Sequence, residues 1–252
     1  MTATATGPVT ALVRIGNRPS CVLLPGAGGG VAPYVPLAAR LGASHDVYAV
    51  RAMGLGGDER PDASVEAAAD SALRALRGAS ISPDLVVGWS MGGAVAWELG
   101  VRLAERGNRP DLVLVDSAAV PRPAVAHDGQ LRRRVERMLG QRPAPADLDH
   151  LIRTLDAQLE ALRGYRTSRA FDGRVLVLRC SDRDRADWDD SVRHWHRLAA
   201  ELHVASLGAT HFDALTAEHV PELLARIDEF RRAAPPSGRP AGNGRSARGP
   251  RA

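Results

Sequence analysis

Ten residues, Asp84-Leu85-Val86-Val87-Gly88-Trp89-Ser90-Met91-Gly92-Gly93, restrict the folds open to this chain more than any others do. A short apolar run ends in Gly-x-Ser-x-Gly, and residues 94–105 continue as an Ala/Leu/Val-rich helical pattern. A strand that turns within a few residues into a helix lifts the residue at the turn off the sheet edge, and here that residue is Ser90. Gly88 and Gly92 flank it because a Cβ at either place would collide with the neighbouring strand or helix. The N–H of Met91, at the helix start, faces the place where an oxyanion on the serine's target would form. The motif alone arises by chance in a chain with 25 glycines; set between a buried-strand pattern and a long helix, it marks Ser90 as a candidate nucleophile.

The 252 residues, 44% of them hydrophobic, suit one α/β domain with a sizeable core. Residues 1–8 lack the charged and apolar regions of a secretory signal, and no apolar run approaches the ~18 residues of a membrane span. A cytoplasmic protein without a membrane partner is therefore expected. Cys21 and Cys180 sit in strand-like runs and read as reduced core thiols, with no metal-ligand or disulfide framework. The net charge of +4 invites a nucleic-acid reading, which its distribution opposes. Every basic residue is Arg. Six of them, and no acid, fall between residues 231 and 252; subtracting those six from +4 leaves residues 1–230 at −2. No nucleic-acid partner is expected, and residues 233–252, rich in Pro, Gly, Ser and Arg, have the composition of a disordered tail.

Residues 11–15 and 21–24 read as short strands around the turn Gly16-Asn17-Arg18-Pro19. The second runs into Pro25-Gly26-Ala27-Gly28-Gly29-Gly30, followed by a helix over 34–41. This loop lacks the Gly-Lys-Ser/Thr ending of a phosphate cradle, and it lacks a dinucleotide spacing with an acid about 20 residues on. It suits instead a second oxyanion donor, the N–H of Ala27 or of Gly28. A strand over 46–52, a Gly-rich loop and a helix over 64–76 capped by Ser64 come next. The Ser90 unit follows, closed by Gly107, then a buried strand over 111–115 that ends Val115-Asp116-Ser117. From residue 46 onward strands alternate with helices, the pattern of a mostly parallel sheet flanked by helices. Residues 118–172 break the rhythm, with amphipathic helices over 130–139 and 147–162 and no strand until 174–179; this is an insertion the size of a helical lid. Eleven Arg and seven acids give residues 118–174 a charge of +4, either a solvated face or a docking surface for an acidic partner. A helix over 188–199 and a strand over 202–207 lead to Gly208-Ala209-Thr210-His211-Phe212. The last helix has Val220, Leu223, Leu224, Ile227 and Phe230 at core spacing. His194 and His196, two apart on a helix, point to nearly opposite faces and make no metal site.

A serine hydroxyl is a weak nucleophile at neutral pH and needs an imidazole that is itself oriented by a carboxylate. With the order serine, acid, histidine, each after a strand, His211 fits its place between the last strand and the last helix. His203 lies within that strand and His219 at the helix start. Two positions compete for the acid: Asp116, ending strand 111–115, and Asp184 with its neighbour Asp182, after strand 174–179.

Five stretches together resemble the thioesterase domains of nonribosomal peptide and polyketide synthases, in the α/β-hydrolase superfamily: Leu23-Leu24-Pro25-Gly26-Ala27-Gly28-Gly29, Tyr34-x-x-Leu37-Ala38, Gly88-Trp89-Ser90-Met91-Gly92-Gly93, Leu112-Val113-Leu114-Val115-Asp116-Ser117 and Thr210-His211-Phe212. The resemblance covers residues 10–232. It implies an α/β-hydrolase fold with a lid at 118–172, a triad of Ser90, Asp116 and His211 with Asp184 as the alternative acid, and oxyanion N–H groups from Ala27 and Met91. It also implies release of an acyl or peptidyl chain, by hydrolysis or cyclisation, from the phosphopantetheine arm of a carrier protein or synthase module, with no metal or other cofactor. Trp89 and the run ending Asp116-Ser117 are similar to chain-terminating domains; stand-alone editing thioesterases more often have His before the serine and the acid after the later strand. Ala209 departs from the family, which usually has Gly two residues before the histidine. No carrier-domain sequence precedes the first strand, so a discrete enzyme is expected. The rival expectations are an editing thioesterase, a small-molecule carboxylesterase, and a non-catalytic binding module, the last opposed by the intact Ser/Asp/His set.

Overall fold

A computed structural model describes residues 4–56, 58–120, 145–182 and 185–233. Eight strands form one sheet: β1 (Thr4–Thr6), β2 (Val9–Val13), β3 (Ser20–Leu24), β4 (Asp46–Val50), β5 (Leu85–Trp89), β6 (Asp111–Val115), β7 (Phe171–Arg179) and β8 (Ala199–Ser206). Their spatial order is β1-β2-β4-β3-β5-β6-β7-β8. β1 and β2 pair antiparallel, as do β2 and β4, and every pairing from β4 through to β8 is parallel. This is the α/β-hydrolase fold.

The helices are α1 (Val35–Leu41), α2 (Val65–Gly78), α3 (Met91–Ala104), α4 (Pro145–Gly164), α5 (Arg185–Leu198) and α6 (Val220–Arg232). They cover both faces of the sheet, so its central strands carry continuous apolar runs (Cys21–Leu24, Leu85–Val87, Leu112–Val115) that divide their side chains between two cores. Val86, Leu112 and Leu114 join the buried residues of α2, α3 and α5 on one face. Leu85, Val87, Val113 and Val115 join those of α1 and α6 on the other. Trp188 and Trp195 of α5 are both buried, and the Trp195 ring lies 4.5 Å, centroid to centroid, from Trp97 of α3. Ser64 caps α2 by accepting the Ala67 N–H at 3.1 Å. Among the described residues no helix is long and apolar enough to cross a membrane.

Three details differ from the sequence reading. Thr4–Thr6 add an edge strand too short to show a period. The turn after β2 joins two strands that do not pair, because β4 lies between them. Asp46, at the start of β4, holds that turn by accepting the N–H groups of Ile15 at 2.7 Å and Gly16 at 3.1 Å, and these bonds lower its pKa. β7 starts at Phe171, three residues before the strand expected over 174–179. The helix expected over 130–139, residues 234–252 of the tail, and Asp184 all lie outside the described residues.

Strand register places the site. Leu24 lies opposite Gly88, Trp89 opposite Val115, and Val115 opposite Leu178. The carboxyl ends of β3, β5, β6 and β7 therefore finish level, and the residues that follow them (Pro25, Ser90, Asp116, Cys180) share one edge of the sheet.

Candidate active site

Ser90 occupies the turn between β5 and α3 with φ +58 and ψ −123, a conformation costly for any side chain and held only where surroundings enforce it. Enforcement comes from both directions. The Ser90 N–H donates to the Val115 carbonyl at 2.9 Å, and the Ser90 carbonyl accepts the Gly93 N–H at 3.1 Å and the Ser117 hydroxyl at 2.7 Å. The flanking glycines leave no room for a Cβ: one at Gly88 would lie 2.1 Å from the Gly92 carbonyl oxygen, one at Gly92 2.1 Å from the Leu24 oxygen. Both obstacles are backbone and cannot swing away. Gly92→Ala is therefore expected to cost about 3 kcal/mol, lowering Tm by roughly 6–12 °C for a chain of this size. A thermal melt checks this; an unchanged Tm would mean that α3 can shift away from β3.

Asp116 ends β6, also at positive φ (+48), with 2% of its surface exposed. Its N–H donates to the Leu178 carbonyl at 2.8 Å, and its Oδ1 accepts the Cys180 N–H at 3.2 Å, so the end of β7 braces the carboxylate. Oδ2 lies 2.5 Å from His211 Nδ1. With Nδ1 holding its proton toward Asp116, Nε2 is the basic nitrogen. Burial, then the neighbouring Asp116 charge, pushes the Cys180 thiol pKa far up, so it stays protonated and is no rival nucleophile.

His211 stands in the loop after β8, two strands away from β6, and must lean back over β7 to reach Asp116. Three contacts hold it there. Ser181, just past β7, donates its N–H (2.9 Å) and hydroxyl (3.0 Å) to the Ala209 carbonyl. Asp182 accepts the His211 N–H at 2.8 Å, and the indole of Trp89 donates to the His211 carbonyl at 2.9 Å. Trp89 and Phe212 pack against the imidazole at centroid distances of 5.1 and 5.0 Å. Asp182 thus touches the backbone of His211, whereas Asp116 touches its ring. The last of these contacts joins the histidine loop to the residue immediately before Ser90.

The loop after β3 forms a turn closed by the Gly29 N–H on the Gly26 carbonyl at 3.0 Å. Buried Tyr34 bridges β3 and β5, its hydroxyl donating to the Leu24 carbonyl (2.5 Å) and accepting the Trp89 N–H (3.1 Å). Gly28 donates its N–H to Gln158 Oε1 of α4 at 2.7 Å, so this group is already committed. Among the described residues the N–H groups of Ala27 and Met91 have no protein acceptor. Sequence reasoning picked out Tyr34 and Ser117 as motif residues without giving either a role, and it missed Gln158. For Gln158 a signal existed: a polar residue on the apolar stripe of a helix.

A family model described as Thioesterase domain matches residues 20–230. The chain belongs to the thioesterase domain family. The matched stretch runs from β3 into α6 and includes Ser90, Asp116 and His211. This thioesterase domain is 30% identical over 139 residues to Malpibaldin synthetase of Mortierella alpina, a match covering 55% of the chain and 2% of that synthetase. It superposes on the Vlm2 thioesterase domain carrying genetically encoded 2,3-diaminopropionic acid and bound with a dodecadepsipeptide, with a TM-score of 0.71, 23% identity, and coverage of 88% of this chain and 97% of that one. It is also similar to YbtT, a type II thioesterase from the Yersiniabactin NRPS/PKS biosynthetic pathway, with a TM-score of 0.68, 21% identity, and coverage of 89% and 99%.

Proposed function

We propose that this thioesterase domain releases an acyl or peptidyl chain from the phosphopantetheine arm of a carrier protein, through an acyl-enzyme on Ser90. The observation that carries the reading is the 2.5 Å contact of buried Asp116 with His211 on the sheet edge that also presents Ser90. His211 Nε2 takes the Ser90 proton as Oγ attacks the thioester carbonyl carbon. The N–H groups of Ala27 and Met91 stabilise the oxyanion. The C–S bond then breaks, and the departing sulfur takes the proton from His211. Water, or an amine or hydroxyl of the acyl chain, attacks the ester in a second round of the same proton transfers, freeing the product and restoring Ser90. Asp116 holds the imidazole in the required tautomer and stabilises its positive charge. A synthetase among the relatives supports a carrier-borne substrate, and the +4 charge of residues 118–174 suits an acidic carrier surface.

Intact-mass analysis of acyl-loaded carrier protein tests the reading. The carrier is expected to lose its acyl group with enzyme present, and the released product to weigh one water more after hydrolysis than after cyclisation. Cleavage of simple esters while every loaded carrier stays intact would replace the proposal with a small-molecule carboxylesterase.

A further inference from the structure

The buried face of α4 carries Leu151, Thr154, Leu155, Gln158 and Ala161 at helical spacing. A glutamine on such a face gives up apolar contact, and burying its amide is unfavourable unless it is hydrogen-bonded. Its Oε1 meets the Gly28 N–H, 130 residues away in the chain. One and two turns earlier on the same helix, Leu155 and Leu151 pack with Ala27 and Leu55. α4 thus grips the loop after β3 twice, by apolar contact at Ala27 and by a hydrogen bond at the next N–H.

The loop needs an external grip. Gly28 and Gly29 sit at φ +98 and +70, and glycine takes either sign of φ with little preference, so the chain itself restrains these peptide planes weakly. The Ala27 and Gly28 N–H groups belong to successive peptide planes joined through φ and ψ of Ala27, so holding the Gly28 N–H narrows the directions open to the Ala27 N–H.

We infer that Gln158 is a positioning residue: by holding the Gly28 N–H it aims the Ala27 N–H at the oxyanion, and the oxyanion hole is complete only when α4 is seated. The inference rests on Ser90 acting as the nucleophile proposed above.

Steady-state hydrolysis of a p-nitrophenyl ester by the full chain tests it, comparing the wild type with Gln158→Met, Leu155→Ala and Ser90→Ala. Gln158→Met keeps the side-chain length and removes the acceptor. It is expected to lower kcat on the order of ten- to a hundredfold, the effect of misplacing a transition-state donor. KM and the inflection of the pH–kcat/KM profile should stay in place, because Asp116 and His211 are untouched. Leu155→Ala keeps the amide and opens the packing; it should lower Tm more than Gln158→Met does and kcat less. Wild-type kcat in Gln158→Met, a displaced pH inflection, or an equal loss of kcat in Leu155→Ala would each overturn the inference. If the wild type is no faster than Ser90→Ala on this ester, the same comparison is read on an acyl-loaded carrier protein, where equal rates would remove the proposed nucleophile and this inference with it.

Discussion

Ser90→Ala is expected to reduce acyl release by about 10⁴- to 10⁶-fold while leaving Tm within roughly 2 °C of wild type. The rate falls because no other group can take over. Cys180 is buried with its thiol protonated, and Ser117 spends its hydroxyl on the Ser90 carbonyl. Water attacking directly would still have the oxyanion N–H groups, which accounts for a residual rate above background. Stability should change little because the bonds that hold the turn use the backbone of residue 90, which Ala retains, although Ala must also accept φ +58. Single-turnover release from a loaded carrier, with a thermal melt of the same preparation, reads both quantities. Retention of more than a few per cent of wild-type activity would place the nucleophile elsewhere.

Asp116→Asn should cost about 10⁴-fold in kcat, a little less than loss of the serine. An amide can donate to His211 Nδ1, which then becomes the acceptor and leaves the proton on Nε2, where a free lone pair is needed to take the Ser90 proton. The fold should survive, because Oδ1 can still accept the Cys180 N–H. Asp182→Asn makes the sharp comparison: among the described residues its carboxylate accepts the His211 N–H alone, a task an amide oxygen also performs, so a loss of no more than about tenfold is expected. Kinetics of the two variants on one substrate decide between the acids. An equal fall for both, or a larger one for Asp182→Asn, would move the orienting role to the end of β7.

What could be read in the chain followed from how local each requirement is. The β5–α3 turn announces itself within ten residues, since the need for glycine at 88 comes from Gly92 and Gly93 of the same motif, although at 92 it comes from the backbone of Leu24 and Pro25 in β3 and the loop after it. The choice between Asp116 and the acids after β7 is not local. Either carboxylate ends a parallel strand near the histidine loop, and what separates them is that Cys180 braces one beneath the ring while the His211 N–H engages Asp182. The turn after β2 could be read from Gly16 and Pro19, yet its strands do not pair, because pairing depends on β4, which arrives 30 residues later. The partner of Gln158 was hidden for the same reason: Gly28 lies in a loop whose shape the sequence near 158 does not encode.

The loop that carries His211 also makes activity a report on completeness. A chain emerging from the ribosome possesses Ser90 and Asp116 once β6 has formed, but the imidazole is 95 residues further along and is held by contacts from the end of β7 and from Trp89. Until β8 has docked beside β7, His211 lacks the contacts that hold it against Asp116. Under the proposed mechanism a partly synthesised molecule would therefore not discharge thioesters, and turnover would begin only with β8 in place.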